Sequence, residues 1–249
     1  MDRPIGTLGA SNIGALFTKQ GLKAKSAHSK AFELAKELVN GYRKNLTTIS
    51  MAHGLFNEEE AFNVVVKPNF PKAKYHSNKS YQIEGDFWAT PDAVVEGECV
   101  IDIKCPYHID TYKANISNPK AGYIAQVMTQ MLACNVDKGY LVYYLTSCDI
   151  DEFGNKKELD IDIKKRVAII PIDRDDNFIE MIKERAKGLL EMRDVIYSHI
   201  KDVPIINDAD FYDMYDSYKI TRLKTKSNLL AWEGKIIRNR EFYYVTEKL

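Results

Sequence analysis

The stretch that most restricts the fold is residues 81–145. Strand signals at 81–86, 93–95, 100–104 and 139–145 surround a single helical stretch, which Asn118-Pro119 opens with proline at the first helical position and Asn135 stops. Before it, Ser11 reads as the N-cap of a short amphipathic turn. Phe32, Ala35, Leu38, Val39 and Tyr42 recur at helical spacing over 29–42, and another helix is expected over 50–66. After it come a strand at 166–172 and a long helix at 178–200. Helices, a strand meander, then helix, strand, strand and helix argue for an α/β fold, with a mixed sheet and helices on its faces.

Composition excludes several classes. The chain has 249 residues, 45% apolar and 28% charged, and a chain this long buries roughly 70–75% of its unfolded surface. It is therefore not expected to be disordered, fibrous or a stapled mini-protein. Cys99, Cys105, Cys134 and Cys148 include no C-x-x-C pair, which argues against a zinc ribbon. Scattered thiols suit a reducing compartment. The start lacks a signal-peptide core and no apolar run nears ~20 residues, so a cytoplasmic protein outside the membrane is expected.

Zero net charge hides local imbalance. Residues 1–50 carry eight basic and three acidic side chains, residues 67–81 four lysines and no acid, and residues 219–249 eight basic and three acidic. Residues 82–110 carry seven acids and one base, Lys104. An acidic centre between basic flanks suits a site that holds cations and grips a polyanion, although charge runs are also ordinary solvated faces. In the tail, Trp232, Phe242, Tyr243 and Tyr244 interleave with the basic residues, a combination able to contact phosphates and bases. The same aromatics could equally pack on the body of the protein. Residues 204–216 read as a joint, which divides the chain into a main unit at 1–204 and an extension at 205–249.

Residues 90–104 carry the chemistry. Glu96-Gly97-Glu98 reads as a hairpin turn, which sets Asp92 near Asp102 on the partner strand. Strand alternation puts Asp102 and Lys104 on one face and Ile101 and Ile103 on the other. Two carboxylates and an ammonium on one sheet edge suit a hard cation that takes few carboxylates and completes its shell with water and phosphate oxygens. The bare D-x-K pattern is weak, since Asp162-Ile163-Lys164 repeats it. Of Glu58, Glu59 and Glu60, only one can face such a site, because helix neighbours are ~100° apart. Tyr123, Gln126 and Gln130, at i, i+3 and i+7, form a polar stripe that either lines a cleft or is the wet face of a helix.

Taken together, these pieces resemble the lambda-exonuclease family (YqaJ-like viral recombinase nucleases) of the PD-(D/E)xK superfamily. The pieces are Gly9-Ala10-Ser11, His53-Gly54 with Glu58, Thr90-Pro91-Asp92, Ile101-Asp102-Ile103-Lys104-Cys105-Pro106 and Tyr123-Ile124-Ala125-Gln126, in the family's order. The resemblance spans about residues 5–200 and implies a restriction-endonuclease-like core, a central mixed β-sheet flanked by helices. It implies Mg²⁺, replaceable by Mn²⁺, held by Asp92, Asp102, the Ile103 carbonyl and, through water, Glu58. By the same resemblance Lys104 positions the attacking water and Gln126 holds the nucleophile or the scissile phosphate. Ser11 and Thr90, with Arg3, Lys19 and Tyr123, would hold the 5′-phosphate and DNA, and Met51 would be the wedge that parts the strands. Pro4-Ile5-Gly6 stands where the family has Arg-x-Gly, with Arg3 one residue off.

The implied activity is digestion of one strand of linear duplex DNA from its ends, 5′ to 3′, by a ring-shaped homotrimer. The 3′ overhangs would pass to a single-strand annealing protein. Two rivals stand beside it. One is an endonuclease or CRISPR-adaptation-type nuclease on the same core, the latter usually carrying a cysteine-ligated cluster that these cysteine spacings do not suggest. The other is a catalytically silent DNA-binding or assembly protein, against which the intact Asp92, Asp102 and Lys104 speak.

Overall fold

The computed structural model describes residues 3–17, 26–43, 49–76, 79–150, 156–202, 218–222, 235–238 and 241–248. Strand β1 (Leu8–Gly9) runs directly into a 3-10 helix, Ala10–Leu16, whose cap is Gly9. Ser11 is thus the second residue of the helix and not its cap, because pairing in β1 holds Gly9 extended and the chain turns immediately after it. Helix α1 (Ser26–Asn40) buries Ala27, Ala31, Leu34 and Ala35 and stops at Gly41, whose φ of +73° continues no helix.

Helix α2 (Ile49–Ala61), a π-helical stretch (Phe62–Val66) and α3 (Lys67–Asn69) form one continuous rod, since the junction residues Ala61, Val66 and Lys67 all keep right-handed helical angles. Pro68 has no N–H for the carbonyl of Val64, and its ring crowds that carbonyl. The wider turn just before it absorbs the misfit.

The strands follow: β2 (Lys74–Tyr75), β3 (Tyr81–Glu84), β4 (Phe87–Ala89), β5 (Ala93–Val95) and β6 (Cys99–Lys104). The strand expected over 81–86 breaks at Gly85, whose φ of +51° makes the β3–β4 turn. Helix α4 (Ile109–Ser117) was not expected. It ends at Asn118, so Pro119 lies in the link and α5 (Ala121–Cys134) starts from Lys120. Asn135, at φ 51° and ψ 54°, stops α5 as expected. Then come β7 (Lys138–Tyr144), the hairpin β8 (Cys148–Ile150) and β9 (Lys156–Glu158), β10 (Val167–Asp173) and α6 (Asp176–Ile200), capped by Asp175. The second D-x-K copy is a local cap, with Asp162 accepting the Lys164 N–H at 2.8 Å.

The central sheet has the order β10-β7-β6-β5-β2. The β6–β7 pair is parallel and the other pairs antiparallel, and α4 and α5 make the crossover. A smaller sheet, β1-β4-β3, pairs β1 with β4 in parallel. Alternation along β5, β6 and β7 sends Val94, Val100, Leu141 and Tyr143 into a core shared with α1, α5 and α6. It sends Val95, Ile101, Ile103, Val142 and Tyr144 into a second core under Phe62, Val65 and Val66. The architecture is mixed α/β with a sheet covered on both faces, so β6 has no wet side and Asp102 is 0% exposed.

Helix α5 lies very close to the sheet and to the 3-10 helix. A Cβ on Gly139 would fall 2.3 Å from Val127 Cγ1, and Gly14 and Gly122 meet backbone to backbone. The segments β11 (Tyr218–Arg222), β12 (Lys235–Arg238) and β13 (Glu241–Lys248) form an antiparallel sheet with β13 in the middle. Lys19, Trp232 and the joint at 204–216 lie outside the described residues. Among the described residues no helix is long and apolar enough to cross a membrane.

Candidate active site

The β5–β6 hairpin turns at Gly97, where φ is +71°, and its register pairs Ala93 with Ile101. The ladder ends there, so Asp92 falls opposite Asp102 just beyond the last strand pair. Asp92 Oδ2 accepts the Ile103 N–H at 2.6 Å. In a strand the N–H and C=O of one residue point the same way, so the Ile103 carbonyl faces the same edge as Asp92.

Asp102 points toward α5. Its Oδ1 accepts from Gln126 Nε2 at 2.7 Å and from Gln130 Nε2 at 2.9 Å. Its Oδ2 forms a buried ion pair with Lys104 Nζ at 2.5 Å and has no other donor among the described residues. Lys104 Nζ also sits 5.1 Å over the ring of Tyr123, which Lys120 approaches at 5.4 Å. Tyr143, the parallel neighbour of Lys104 on β7, is wholly buried, and its hydroxyl has no hydrogen-bond partner among the described residues.

Of the three glutamates, Glu58 turns inward. Its Oε1 accepts from Tyr75 Oη at 3.1 Å, and Tyr75 is held by its β2 pairing to Ala93 and by the ring of Phe62 at 5.1 Å. Glu59 and Glu60 are exposed, with Glu60 accepting from Tyr144 Oη at 2.5 Å. His53, five residues before Glu58 on α2, packs edge-on to Tyr107 at 5.2 Å.

The charges are strongly interdependent. Burial, and then the Asp102 carboxylate, push Asp92 well above the usual carboxylate range. Burial also raises Glu58, against the Tyr75 hydrogen bond and Lys104, which lower it. Burial alone would lower Lys104, but Asp102 and Asp92 outweigh it and hold the ammonium above its usual value. Cys105, beside this cluster, is pushed up to about 12, chiefly by burial, so its thiol stays protonated. Raised carboxylates facing one another mark a site short of positive charge.

No three His, Cys, Asp or Glu side chains among the described residues form a ready-made metal cage. The donor set nevertheless suits a hard cation such as Mg²⁺, which takes one or two carboxylates and keeps waters and phosphate oxygens. Asp102 Oδ2, Asp92 and the inward Glu58 are the groups that could hold one.

The structure brings Asp92, Asp102, Ile103, Lys104, Glu58, Gln126 and Tyr123 together. Thr90 is next to them, with its hydroxyl 2.8 Å from Ser80 Oγ and its carbonyl 3.4 Å from Gln130 Nε2. Arg3 and Ser11 belong to the N-terminal segment. The Arg3 guanidinium packs over Gly9, where a Cβ would lie 2.6 Å from its Nη1, and donates to the Thr7 carbonyl at 2.6 Å. Gly9 thus gives this arginine access to the start of the 3-10 helix that carries the exposed Ser11. Met51 is 53% exposed on α2, with Leu55 and Phe56 still more exposed nearby. Sequence reasoning gave no role to Tyr75, Leu55 or Phe56, and it saw Gln130 only as part of a polar stripe.

No protein-family model and no curated protein sequence matches the chain. Solved structures do. An alkaline exonuclease (LHK-Exo) from Laribacter hongkongensis superposes with a TM-score of 0.65 at 22% identity, over 79% of this chain and 92% of that one. The same enzyme in complex with dAMP gives 0.63 at 21% identity, with the same coverage. A phage-related exonuclease from Haemophilus somnus 129PT gives 0.66 at 21% identity, over 78% and 96%. The chain has the fold of these alkaline and phage-related exonucleases.

Proposed function

We propose that the protein is a divalent-metal-dependent deoxyribonuclease that digests one strand of linear duplex DNA from its ends, 5′ to 3′. Mg²⁺ is the natural ion and Mn²⁺ an effective replacement. The observation that carries this reading is the buried Oδ2 of Asp102, paired with Lys104 beside Asp92 and Glu58. The exonuclease fold, and the dAMP bound by one protein that shares it, support the reading.

In this mechanism Asp92, Asp102 and the Ile103 carbonyl would hold the ion, and Glu58 would reach it through water. When bound, the ion acidifies a water and offsets charge on the cleaved phosphate. Lys104 is held charged by two carboxylates, so it serves as a donor that orients the attacking water and not as a base. Gln126 holds the nucleophile or the scissile phosphate with whatever donor capacity Asp102 leaves it. Tyr123, its ring already a platform for Lys104 and Lys120, lines the DNA path with Thr90. Ser11, Arg3 and Lys19 grip the 5′-phosphate, and Met51 wedges the strands apart.

The reading extends to a catalytic unit at 1–204 with an appended 205–249, a ring trimer, and a cytoplasmic setting in a bacterium or phage-infected cell. There the 3′ single strands pass to an annealing protein. The test is a nuclease assay on 5′-phosphorylated linear, nicked and closed circular duplexes, with Asp102→Asn as control. Digestion of linear DNA to acid-soluble nucleotides and intact circles is expected. Efficient cutting of closed circles would establish the endonuclease instead, and an Asp102→Asn variant as active as wild type would remove the site.

A further inference from the structure

Gln130 lies one turn beyond Gln126 on α5, and both side chains face β6. Gln126 is 9% exposed, whereas Gln130 is 0% exposed and cannot touch a ligand. A carboxylate only accepts hydrogen bonds, so each glutamine must turn its nitrogen toward Asp102. Both nitrogens reach the same oxygen, Oδ1. The Gln130 nitrogen also lies 3.4 Å from the carbonyl of Thr90, two residues before Asp92. One amide therefore spans β6, which carries the first acid, and the segment that carries the second.

The arrangement is costly in itself. Gln130 Oε1 is buried with no hydrogen-bond partner among the described residues, and its neighbours Val127 and Met131 belong to the apolar core. An apolar side chain would satisfy packing there, and burial of an unpaired amide oxygen is unfavourable. The gain is at Asp102: with Oδ1 occupied by two donors, the carboxylate is held against turning, and Oδ2 is the oxygen presented to Lys104.

Resting on the metal-site reading above, we infer that Gln130 is a positioning residue. It fixes the rotation of Asp102 and ties it to the Thr90–Asp92 segment, so that Oδ2 and the Asp92 carboxylate present themselves together to the cation. Partners of this kind, which orient ligands without touching the ion, typically change metal affinity or activity 10–100-fold when removed.

The test uses the full chain and Mn²⁺ alone, without DNA, titrated by electron paramagnetic resonance. Gln130→Met keeps length and volume but has no donor; Gln130→Asn keeps the amide but withdraws it from both acceptors. Each is expected to bind Mn²⁺ about tenfold more weakly. On linear duplex each should lower kcat with KM for DNA unchanged, and the rate should recover partly as Mn²⁺ is raised. A residue that merely supports the fold would lower the melting temperature and leave the Mn²⁺ affinity of the folded protein unchanged. Wild-type Mn²⁺ affinity in a folded variant overturns the proposal. If one variant loses its cooperative melt the other decides, and loss of fold in both makes Gln130 structural and also overturns it. Asp102→Asn separates the two levels: if that variant binds Mn²⁺ like wild type, the metal-site reading fails, whatever Gln130 does.

Discussion

Asp92→Asn should make the metal-free protein more stable while abolishing cleavage. The side chain keeps its shape, and its oxygen can still accept the Ile103 N–H that Asp92 takes at 2.6 Å. Only the charge assistance of that bond is lost, about 1 kcal/mol. At an effective dielectric of about 20, two charges about 5 Å apart interact by about 3 kcal/mol. Repulsion from Asp102 and attraction to Lys104 oppose one another, with a smaller repulsion from Glu58 on the side of Asp102. Desolvation, the largest cause of the raised Asp92 pKa, then decides the sign. A fully buried ion costs several kcal/mol; Asp92 keeps part of its surface open, which brings the relief down to roughly 2–3 kcal/mol. The net gain is about 1–2 kcal/mol at pH 7, or roughly 2–8 °C in melting temperature for a chain of this size. The sign reverses the usual carboxylate case. A folded-state pKa above the unfolded value means the wild-type penalty is absent below about pH 4, where both states are protonated, and grows as pH rises past that value. The advantage of the variant should therefore vanish on acidification. Excess Mg²⁺ should also erase it, since binding only to folded wild type adds about 2.7 kcal/mol at 100 times Kd. Calorimetry in EDTA at pH 4 and pH 7, and with Mg²⁺ at pH 7, measures all three. A variant that melts below wild type at pH 7 in EDTA, or whose gap survives at pH 4, would refute the electrostatic reasoning; one that still cleaves would refute the site.

Lys104→Ala should lower the cleavage rate by at least about 100-fold with little change in DNA affinity or in its salt dependence, as read by single-turnover cleavage and fluorescence anisotropy. Loss of binding with a salt slope reduced by about one would mark a phosphate-gripping lysine instead. Tyr75→Phe removes the hydroxyl that lowers the Glu58 pKa, so Glu58 should ionise at higher pH. The acid limb of the pH–rate profile should move upward, and an unmoved limb would free Glu58 from any role as an ionised group. Gly139→Ala puts a methyl 2.3 Å from Val127 Cγ1 and should cost about 1–3 kcal/mol of stability; a thermal melt equal to wild type would show that α5 can give way.

The parts of the fold legible in the sequence were those that local chemistry decides. A glycine between two glutamates makes the β5–β6 turn, and alternation then puts Asp102 and Lys104 on one face. Asn135 stops α5 because it tolerates the left-handed conformation. The misreadings arose where a neighbour in space decides. Ser11 lost the cap position to Gly9 because β1 pairs with β4, about eighty residues further along the chain. Pro119 fell outside α5 because α4 occupies the residues before it. The stripe Tyr123, Gln126 and Gln130 was visible, but whether it met water or an acid depended on how closely α5 lies on β6. That spacing is set by Gly139 and by the contact of Gly14 with Gly122, glycines that carry no periodic signal. Tyr75 had no pattern of its own, since its strand has two residues.

The length of β5 is what joins the fold to the chemistry. With three residues it ends one pair short of Asp102, which leaves the Ile103 N–H without a strand partner. Asp92 takes that N–H with its side chain and so becomes fixed to the edge of β6. The same interruption leaves that edge open to Glu58, which approaches from α2 past Tyr75 on β2. Because both faces of β6 are covered, Asp102 has no water to neutralise it. Its charge must be met by donors from α5, by Lys104, or by a cation. Two of those are present: Gln126 and Gln130 take Oδ1, and Lys104 takes Oδ2. Burial of the acid, the shortness of β5 and the polar stripe on α5 are thus one arrangement, and each is unfavourable for a sheet without the other two.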